Sequence, residues 1–216
     1  MKINKLFATP LFVGLLLFAL PACERNEDNP AKEAEETNEE KFGSRQMEND
    51  AEYMVDAASA GLMEVRLSEE ARDHATTKET RDLASRMVTS HQAMNDRLKT
   101  LAAQKQITIP TELTTRQSDD ISDLNKKSGL RYDQKYVNQL ISEHKDAIDL
   151  FERASNNATD ADIRNFFSTN LPELRNHLDM ARAEDDRIDR IDDPAWKQNV
   201  KEKIDIKTDR DKTTGY

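Results

Sequence analysis

Apolar residues recur at helical spacing through four long stretches of the chain, with polar residues filling the positions between them. The pattern predicts four long helices, over about residues 47–74, 77–104, 133–157 and from 161 to beyond 180. The second helix follows Thr76-Thr77-Lys78-Glu79, a sequence typical of the capping box that begins a helix. Only a few residues join the first helix to the second and the third to the fourth, so each pair is predicted to form an antiparallel hairpin.

The connection between the second and third helices is much longer, over residues 105–132, and it contains a short helical pattern at 118–127. A segment of this length can cross the full height of a bundle, whereas an up-down-up-down bundle needs only a short loop there. A disordered insertion would give a similar pattern. We predict an all-α domain over 45–188, a four-helix bundle with a long crossover between its second and third helices.

The first 22 residues have the pattern of a lipoprotein signal peptide. Lys2 and Lys5 precede an apolar run that is shorter than the about 20 residues a membrane-spanning helix needs. The run ends in Leu-Pro-Ala-Cys, which resembles a bacterial lipobox, and Cys23 is the only cysteine of the chain. Cys23 is therefore the predicted lipidation site. Simple secretion with a free thiol is the alternative, because Pro21 is unusual in that motif.

Charged segments flank the predicted domain on both sides. Residues 23–44 are acidic and have almost no large apolar side chains, so we predict a disordered tether between the lipid anchor and the domain. Residues 189–216 form a charged C-terminal tail, in which Trp196 is expected to be a packing anchor.

The charge balance limits the partners of the protein. The chain has 42 acidic and 32 basic side chains, a formal net charge of −10. Nucleic acid is not an expected partner, because its phosphates would repel the protein. The expected partner is a membrane, reached through the lipid on Cys23. The protein is predicted to be exported to the bacterial cell envelope, facing the periplasm or the outer membrane.

Three of the four long helices place a histidine at the centre of their apolar face. His91, His144 and His177 each share that face with apolar neighbours at 3.6-residue spacing. The first helix contributes Glu64, on a face of mostly small residues that leave room for a carboxylate and its partners. Glu173, one turn before His177, adds a second carboxylate.

Distance from the hairpin turns places these groups near the middle of their helices, with His177 about one turn deeper. A buried carboxylate without partners costs several kcal/mol, so Glu64 and the histidines must satisfy one another or share a cation. Imidazole and carboxylate ligands suit zinc, iron and manganese. Met87 and Met94 lie beside His91 and add copper to the candidates.

The sequence therefore predicts a transition-metal site. Its predicted ligands are Glu64, His91, His144, Glu173 and His177. The alternative is a structural Glu–His network that fixes the register of the bundle without a metal.

Other polar residues of these helices are expected to have structural roles. Asp133 is predicted to cap its own helix, and His74 to lie on the surface near a helix end. Glu184 falls about two turns beyond His177, too far to join its ligands. Pro172 is expected to kink or bulge the fourth helix.

Four segments of these helices resemble a known family, the bacterial domain-of-unknown-function family 4142. The resemblance covers about residues 48–184 and lies in GLMEVRLSEEA, MVTSHQAMNDRLKTLA, YDQKYVNQLISEHKDAIDLF and LPELRNHLDMA. It implies a ferritin-like four-helix bundle and an exported protein. It also implies that Glu64, His91, His144 and His177 match the family's recurrent polar positions.

No catalytic signature accompanies these residues. The Glu-x-x-His motif of ferritin-like di-iron sites is absent, because Val88, Ile141 and Leu174 stand three positions before the histidines. An oxidase or ferroxidase is therefore the least favoured function. The sequence favours a lipid-anchored envelope protein that stores, buffers or senses a transition metal. The alternative is a structural or stress-related envelope protein whose Glu–His network binds no metal.

Overall fold

Six helices and no strand make up residues 29–192, the part of the chain that the computed structural model describes. Their bounds are α1 Pro30–Lys41, α2 Arg45–His74, α3 Lys78–Lys105, α4 Thr115–Asn125, α5 Leu130–Asn157 and α6 Ala161–Asp192. The prediction of an all-α protein is confirmed, and α2, α3, α5 and α6 are the four long helices of the pattern. The signal segment, Cys23 and Trp196 lie outside the described residues.

A helix occupies part of the segment whose composition predicts a disordered tether, so that prediction is wrong for residues 30–41. Asn29 accepts a hydrogen bond from a backbone N–H of the first turn, and Pro30 stands where its missing N–H costs nothing. α1 packs on α2. The buried side chain of Asn38 exchanges two hydrogen bonds with the backbone of Thr108. These distant polar contacts stabilise a helix that has almost no apolar face.

The four long helices pack antiparallel to their neighbours. α2 and α3 form one hairpin, α5 and α6 form the other, and the hairpins meet through α2 with α5 and through α3 with α6. Asp50, near the start of α2, contacts the turn after α5, and Asp133, near the start of α5, contacts the turn after α2. α3 and α5 therefore run in the same direction, and the segment between them must cross the length of the helices.

α4 lies within this crossing segment and covers the seam between α2 and α5, both of which it contacts. Thr114 and Gln117 form a capping box at its start. The Nε2 group of Gln117 also donates to the backbone and side-chain oxygens of Ser59 on α2. The connection is ordered by these contacts, and the short helix predicted at 118–127 is present as Thr115–Asn125.

Each hairpin turn is held by a buried carboxylate from the other hairpin. The two oxygens of Asp133 accept the backbone N–H groups of Thr76 and Thr77, at 2.7 and 2.8 Å. The prediction that Asp133 caps its own helix is therefore wrong. α5 begins at Leu130, after Gly129 at φ 63°, and Asp133 lies inside its first turn.

The two hairpins repeat the same local arrangement. Asp50 accepts the backbone N–H groups after α5 at 2.7 and 2.8 Å, just as Asp133 does after α2. Arg81 and Arg164 each donate to two backbone carbonyls of the turn before their own helix. Both pairs are 83 positions apart (133 − 50 and 164 − 81). The described fold is thus built from two related halves.

Two apolar clusters fill the interior, one toward each end of the four long helices. The first includes Met54, Met94, Phe151 and Phe167, and the second includes Leu67, Met87, Tyr136 and Leu140. α6 continues to Asp192, four residues into the segment predicted as a tail. Within residues 29–192, no helix combines the length and the apolar character that crossing a membrane requires.

Candidate metal centre

A layer of polar side chains separates the two apolar clusters. On α3, His91 lies between Met87 of one cluster and Met94 of the other, and His144 and His177 have the same position on α5 and α6. Glu64 joins them from α2. All four polar side chains are at most 4% exposed. The prediction that these four groups meet in a dry interior is confirmed.

The Glu64 carboxylate binds one imidazole and contacts a second. Its Oε2 accepts a hydrogen bond from Nδ1–H of His91 at 2.6 Å. Its Oε1 lies 3.1 Å from Nδ1 of His144 but makes no aligned hydrogen bond. The reason is that Nδ1 of His144 lies 3.0 Å from the carbonyl oxygen of Leu140. A carbonyl only accepts, so Nδ1 of His144 carries the proton.

One nitrogen of each of the three imidazoles remains without a hydrogen-bond partner among the described residues. Nε2 of His91, Nε2 of His144 and Nδ1 of His177 are buried and have no hydrogen-bond partner within residues 29–192. Glu64 Oε1 is a fourth such atom. Each unpaired buried polar group costs about 1–3 kcal/mol. Four of them lie in one place, and the three histidines among them could hold a metal ion.

The three imidazoles are mutual neighbours. Their ring centroids are 5.2, 5.2 and 5.4 Å apart, and one nitrogen of each ring lies within 4.8 Å of one nitrogen of the other two. Metal–nitrogen bonds of about 2.0–2.1 Å place the nitrogens of a tetrahedral site roughly 3.3 Å apart. The nitrogens have to approach one another by up to about 1.5 Å to reach that spacing.

Electrostatics sets the charge of each group. Burial alone would raise the pKa of Glu64, but His91 and His144 outweigh it and lower the pKa to about 2. Burial would likewise lower the pKa of His91, but the Glu64 carboxylate raises it. Burial lowers the pKa of His144 and, together with the neighbouring imidazoles, brings the pKa of His177 to about 4. At neutral pH, His144 and His177 are therefore neutral, the form that binds metals.

A family model described as "Domain of unknown function (DUF4142)" matches residues 34–183, more than half of the chain. The chain belongs to the DUF4142 family. The matched range contains all four residues of the polar layer, and the resemblance noted in the sequence is confirmed. No curated protein matches the chain.

Among solved structures, this DUF4142 chain is similar to the crystal structure of a DUF305 fragment from Deinococcus radiodurans. The TM-score is 0.58 at 9% sequence identity, and the match covers 67% of this chain and 97% of that chain. At such low identity the similarity concerns the fold alone.

Glu173 does not belong to the buried group of this DUF4142 chain, so its prediction as an interior ligand is wrong. Its side chain is exposed and accepts a hydrogen bond from the Ser90 hydroxyl. Four positions along a helix amount to about 40° of rotation. Glu173 is thereby turned from the direction of His177 to the margin of the apolar face, where α3 and α6 meet.

The remaining predicted residues of the DUF4142 domain lie outside the polar layer. His74 is exposed, as predicted. Glu184 lies apart from the histidines, and its carboxylate accepts hydrogen bonds from Thr80 and Arg187. α6 runs through Pro172 as one helix.

Gly61 allows α2 and α3 to approach each other closely beside the site. A Cβ atom at this position would lie 2.0 Å from Oδ1 of Asn95, which is four residues after His91. No side chain larger than hydrogen fits there without displacing Asn95. The sequence alone does not reveal this contact, and it does not reveal the role of the Leu140 carbonyl in orienting His144.

Proposed function

We propose that this protein binds one transition-metal ion through His91, His144 and His177, with Glu64 as the carboxylate partner of the site. One observation carries the proposal. Three imidazoles and a carboxylate meet in an otherwise apolar layer, and four of their polar atoms have no partner in the described part of the chain.

The hydrogen bonds around the rings suit metal binding. Nδ1–H of His144 donates to the Leu140 carbonyl, so its Nε2 carries a free lone pair. Nδ1–H of His91 donates to Glu64, and loss of the proton on Nε2 frees that atom in turn. Such second partners orient metal-ligating histidines and raise their basicity. The Glu64 charge also offsets the charge of a cation in the apolar interior.

The donor set favours a single ion. Imidazole nitrogens suit zinc, copper, iron and nickel better than magnesium or calcium, which prefer oxygen ligands. Two-metal carboxylate sites of helical bundles use four glutamates and two histidines. Glu64 is the only carboxylate in the polar layer of residues 29–192. The donor set is therefore poor in carboxylates for ferroxidase chemistry.

A second candidate is a Glu–His network that fixes the register of the helices without a metal. The 2.6 Å pair between His91 and Glu64 favours this candidate, because a protonated His91 neutralises the buried carboxylate. The network does not, however, satisfy Nε2 of His144 or Nδ1 of His177. We favour the metal site for that reason.

The proposed setting is the bacterial cell envelope. The charged start, the short apolar run and Cys23 support lipidation at that cysteine after export. The antiparallel pairing of the long helices, with α4 in the segment between α3 and α5, supports a ferritin-like four-helix bundle with a long crossover.

Elemental analysis of protein purified without a histidine tag tests the proposal. After growth with iron, zinc, copper and manganese, the wild type is expected to carry about one equivalent of metal per chain. His144→Ala removes one ligand, and its metal content is expected to fall below about a tenth of an equivalent. His74→Ala is the matched control, because it removes an exposed histidine of α2 and leaves the site intact. Equal metal content in wild type and His144→Ala would contradict the proposal.

A further inference from the structure

The seam between α3 and α6 is the least extensive contact between neighbouring long helices. α2 with α3 and α5 with α6 pack extensively as hairpins, and α4 packs across the seam between α2 and α5. α3 and α6 contact each other less extensively, and no helix within residues 29–192 packs across both of them as α4 does on the other side.

Two of the three histidines of the polar layer come from the helices of this seam. His91 of α3 and His177 of α6 are neighbours there, with ring centroids 5.2 Å apart. His177 is 4% exposed, whereas His144 on α5 is 0% exposed. The imidazole with the largest exposed fraction therefore comes from a helix of this seam.

Ser90 and Glu173 are close to these two histidines in the sequence, and their hydrogen bond joins α3 and α6 across the seam. Ser90 precedes His91, Glu173 stands one turn before His177, and the Ser90 hydroxyl donates to the Glu173 carboxylate. The Glu173 carboxylate therefore lies between α3 and α6, one helical turn before His177.

Solutes can reach this carboxylate from outside. A groove of about 510 Å³ runs along α3 and α6 from Asp162 to Glu173, and Arg97 and Asn170 line it between these ends. The Arg97 guanidinium in this groove donates to Oδ1 of Asn170 on α6, and Glu173 accepts from Ser90. Glu173 lies at the end of the groove that is closer to His177 along α6.

We infer that Glu173 is the entry residue of the metal site: its carboxylate captures the hydrated cation at the α3–α6 seam and passes it to His177 and His91. The Ser90 hydroxyl holds the carboxylate over the seam and releases it when the cation arrives. This inference rests on the proposed metal site and adds its route of loading. Glu173 contacts the ion in transit only and is not a ligand of the bound metal.

Stopped-flow absorbance with Co²⁺ as the probe tests the inference on the full chain. In Glu173→Gln, the association rate constant is expected to fall about tenfold, the low end of electrostatic steering effects. The dissociation rate constant is expected to fall by the same factor, because ions leave by the same route. The equilibrium affinity then stays within about twofold of the wild type. Asp179→Asn is the matched control, since it removes one exposed carboxylate from another face of α6, and it is expected to leave both rates unchanged.

Two results would overturn the inference and leave the metal site standing. One is an association rate for Glu173→Gln equal to that of the wild type. The other is a weaker affinity with an unchanged association rate, which would make Glu173 a ligand of the bound ion. A wild-type protein that binds no Co²⁺ would instead overturn the metal site itself, and the entry route with it.

Discussion

The protein buries carboxylates at the ends of its long helices and in the middle, and the two regions treat them differently. At the ends, each oxygen of Asp50 and Asp133 accepts one backbone N–H group, so these carboxylates are satisfied by the chain itself. In the middle, Glu64 accepts an aligned hydrogen bond on one oxygen only, and three histidine nitrogens beside it have no partner in the described part of the chain.

We interpret this difference as one between polar groups that serve the fold and polar groups of the proposed metal site. A buried charge that serves only the fold finds all its partners within the fold, as Asp133 does. The polar layer has enough groups to satisfy Glu64, yet one nitrogen of each imidazole has no partner within residues 29–192. We interpret the ends as the parts that fix the register of the helices, and the middle as the part that forms the proposed metal site.

The largest expected effect is at the ends. Asp133→Ala leaves two backbone N–H groups unpaired at the turn after α2, so the free energy of unfolding is expected to fall by about 3–5 kcal/mol. Urea unfolding monitored by circular dichroism measures it. Glu152→Ala, which removes an exposed ion pair with Arg175, is the control and is expected to change the unfolding free energy by less than about 0.5 kcal/mol. A loss of similar size in both variants would contradict the structural role of Asp133.

In the polar layer, the expected change in stability comes from metal binding. Metal at a hundred times its Kd is expected to stabilise the wild type by about 2.7 kcal/mol, and a chelator to reverse the gain. His144→Ala is expected to show no gain, whereas His74→Ala behaves like the wild type. Thermal unfolding with and without a chelator measures the difference. A melting temperature that no metal changes would favour the metal-free network.

The pH dependence of the metal-free protein is expected to come from the middle as well. His177 has a pKa of about 4 in the folded protein and 6.5 ordinarily, so the unfolded chain binds a proton that the folded chain does not. Stability is therefore present above pH 6.5 and is lost as the pH falls from 6.5 to 4, by up to about 3 kcal/mol. Glu64, with a pKa of about 2 instead of 4.5, extends the loss between pH 4.5 and 2.

His177→Gln separates these two contributions. The variant is expected to lose little stability between pH 6.5 and 4 and to keep the acid loss below pH 4.5. Unfolding in urea at a series of pH values, with a chelator present, checks the prediction. If the free energy of unfolding of His177→Gln changed with pH above 4.5 as steeply as that of the wild type, His177 would not be held neutral by burial.

The smallest expected effect is at a buried polar pair that belongs to neither region. The hydroxyl groups of Ser68 and Tyr136 lie 3.1 Å apart, and both residues are fully buried. Tyr136→Phe removes one hydrogen bond and is expected to lower the free energy of unfolding by about 1 kcal/mol. Metal content is expected to stay unchanged. A loss of metal in this variant would show that Tyr136 contributes to the site. It would contradict the separation of structural polar groups from those of the proposed metal site.

Sequence periodicity predicts most of the middle region. The four long helices follow from their apolar spacing, and His91, His144, His177 and Glu64 stand out because they interrupt the apolar faces. Their similar distances from the hairpin turns, with His177 about one turn deeper, predict that they meet near the middle, since helices rise by a constant amount per residue.

The ends and margins are not predictable in the same way. Asp133 has the local pattern of a helix cap, and only the tertiary fold brings the turn after α2 to it. α1 has no apolar pattern that would predict it. Its buried Asn38 is polar, and its hydrogen-bond partner Thr108 is distant in the sequence. Glu173 lies about 40° from His177 on a helical wheel, and whether that position is inside or outside depends on how closely α6 approaches α3.

X-ray absorption spectroscopy at the edge of the bound metal tests the central claim most directly. The account predicts one metal ion surrounded by three imidazole nitrogens at about 2.0–2.1 Å, with the scattering pattern of histidine rings. In His144→Ala any residual ion is expected to lose one imidazole from that shell. A shell made of oxygen ligands without imidazole scattering, or protein that holds no metal after growth with every candidate ion, would contradict the account.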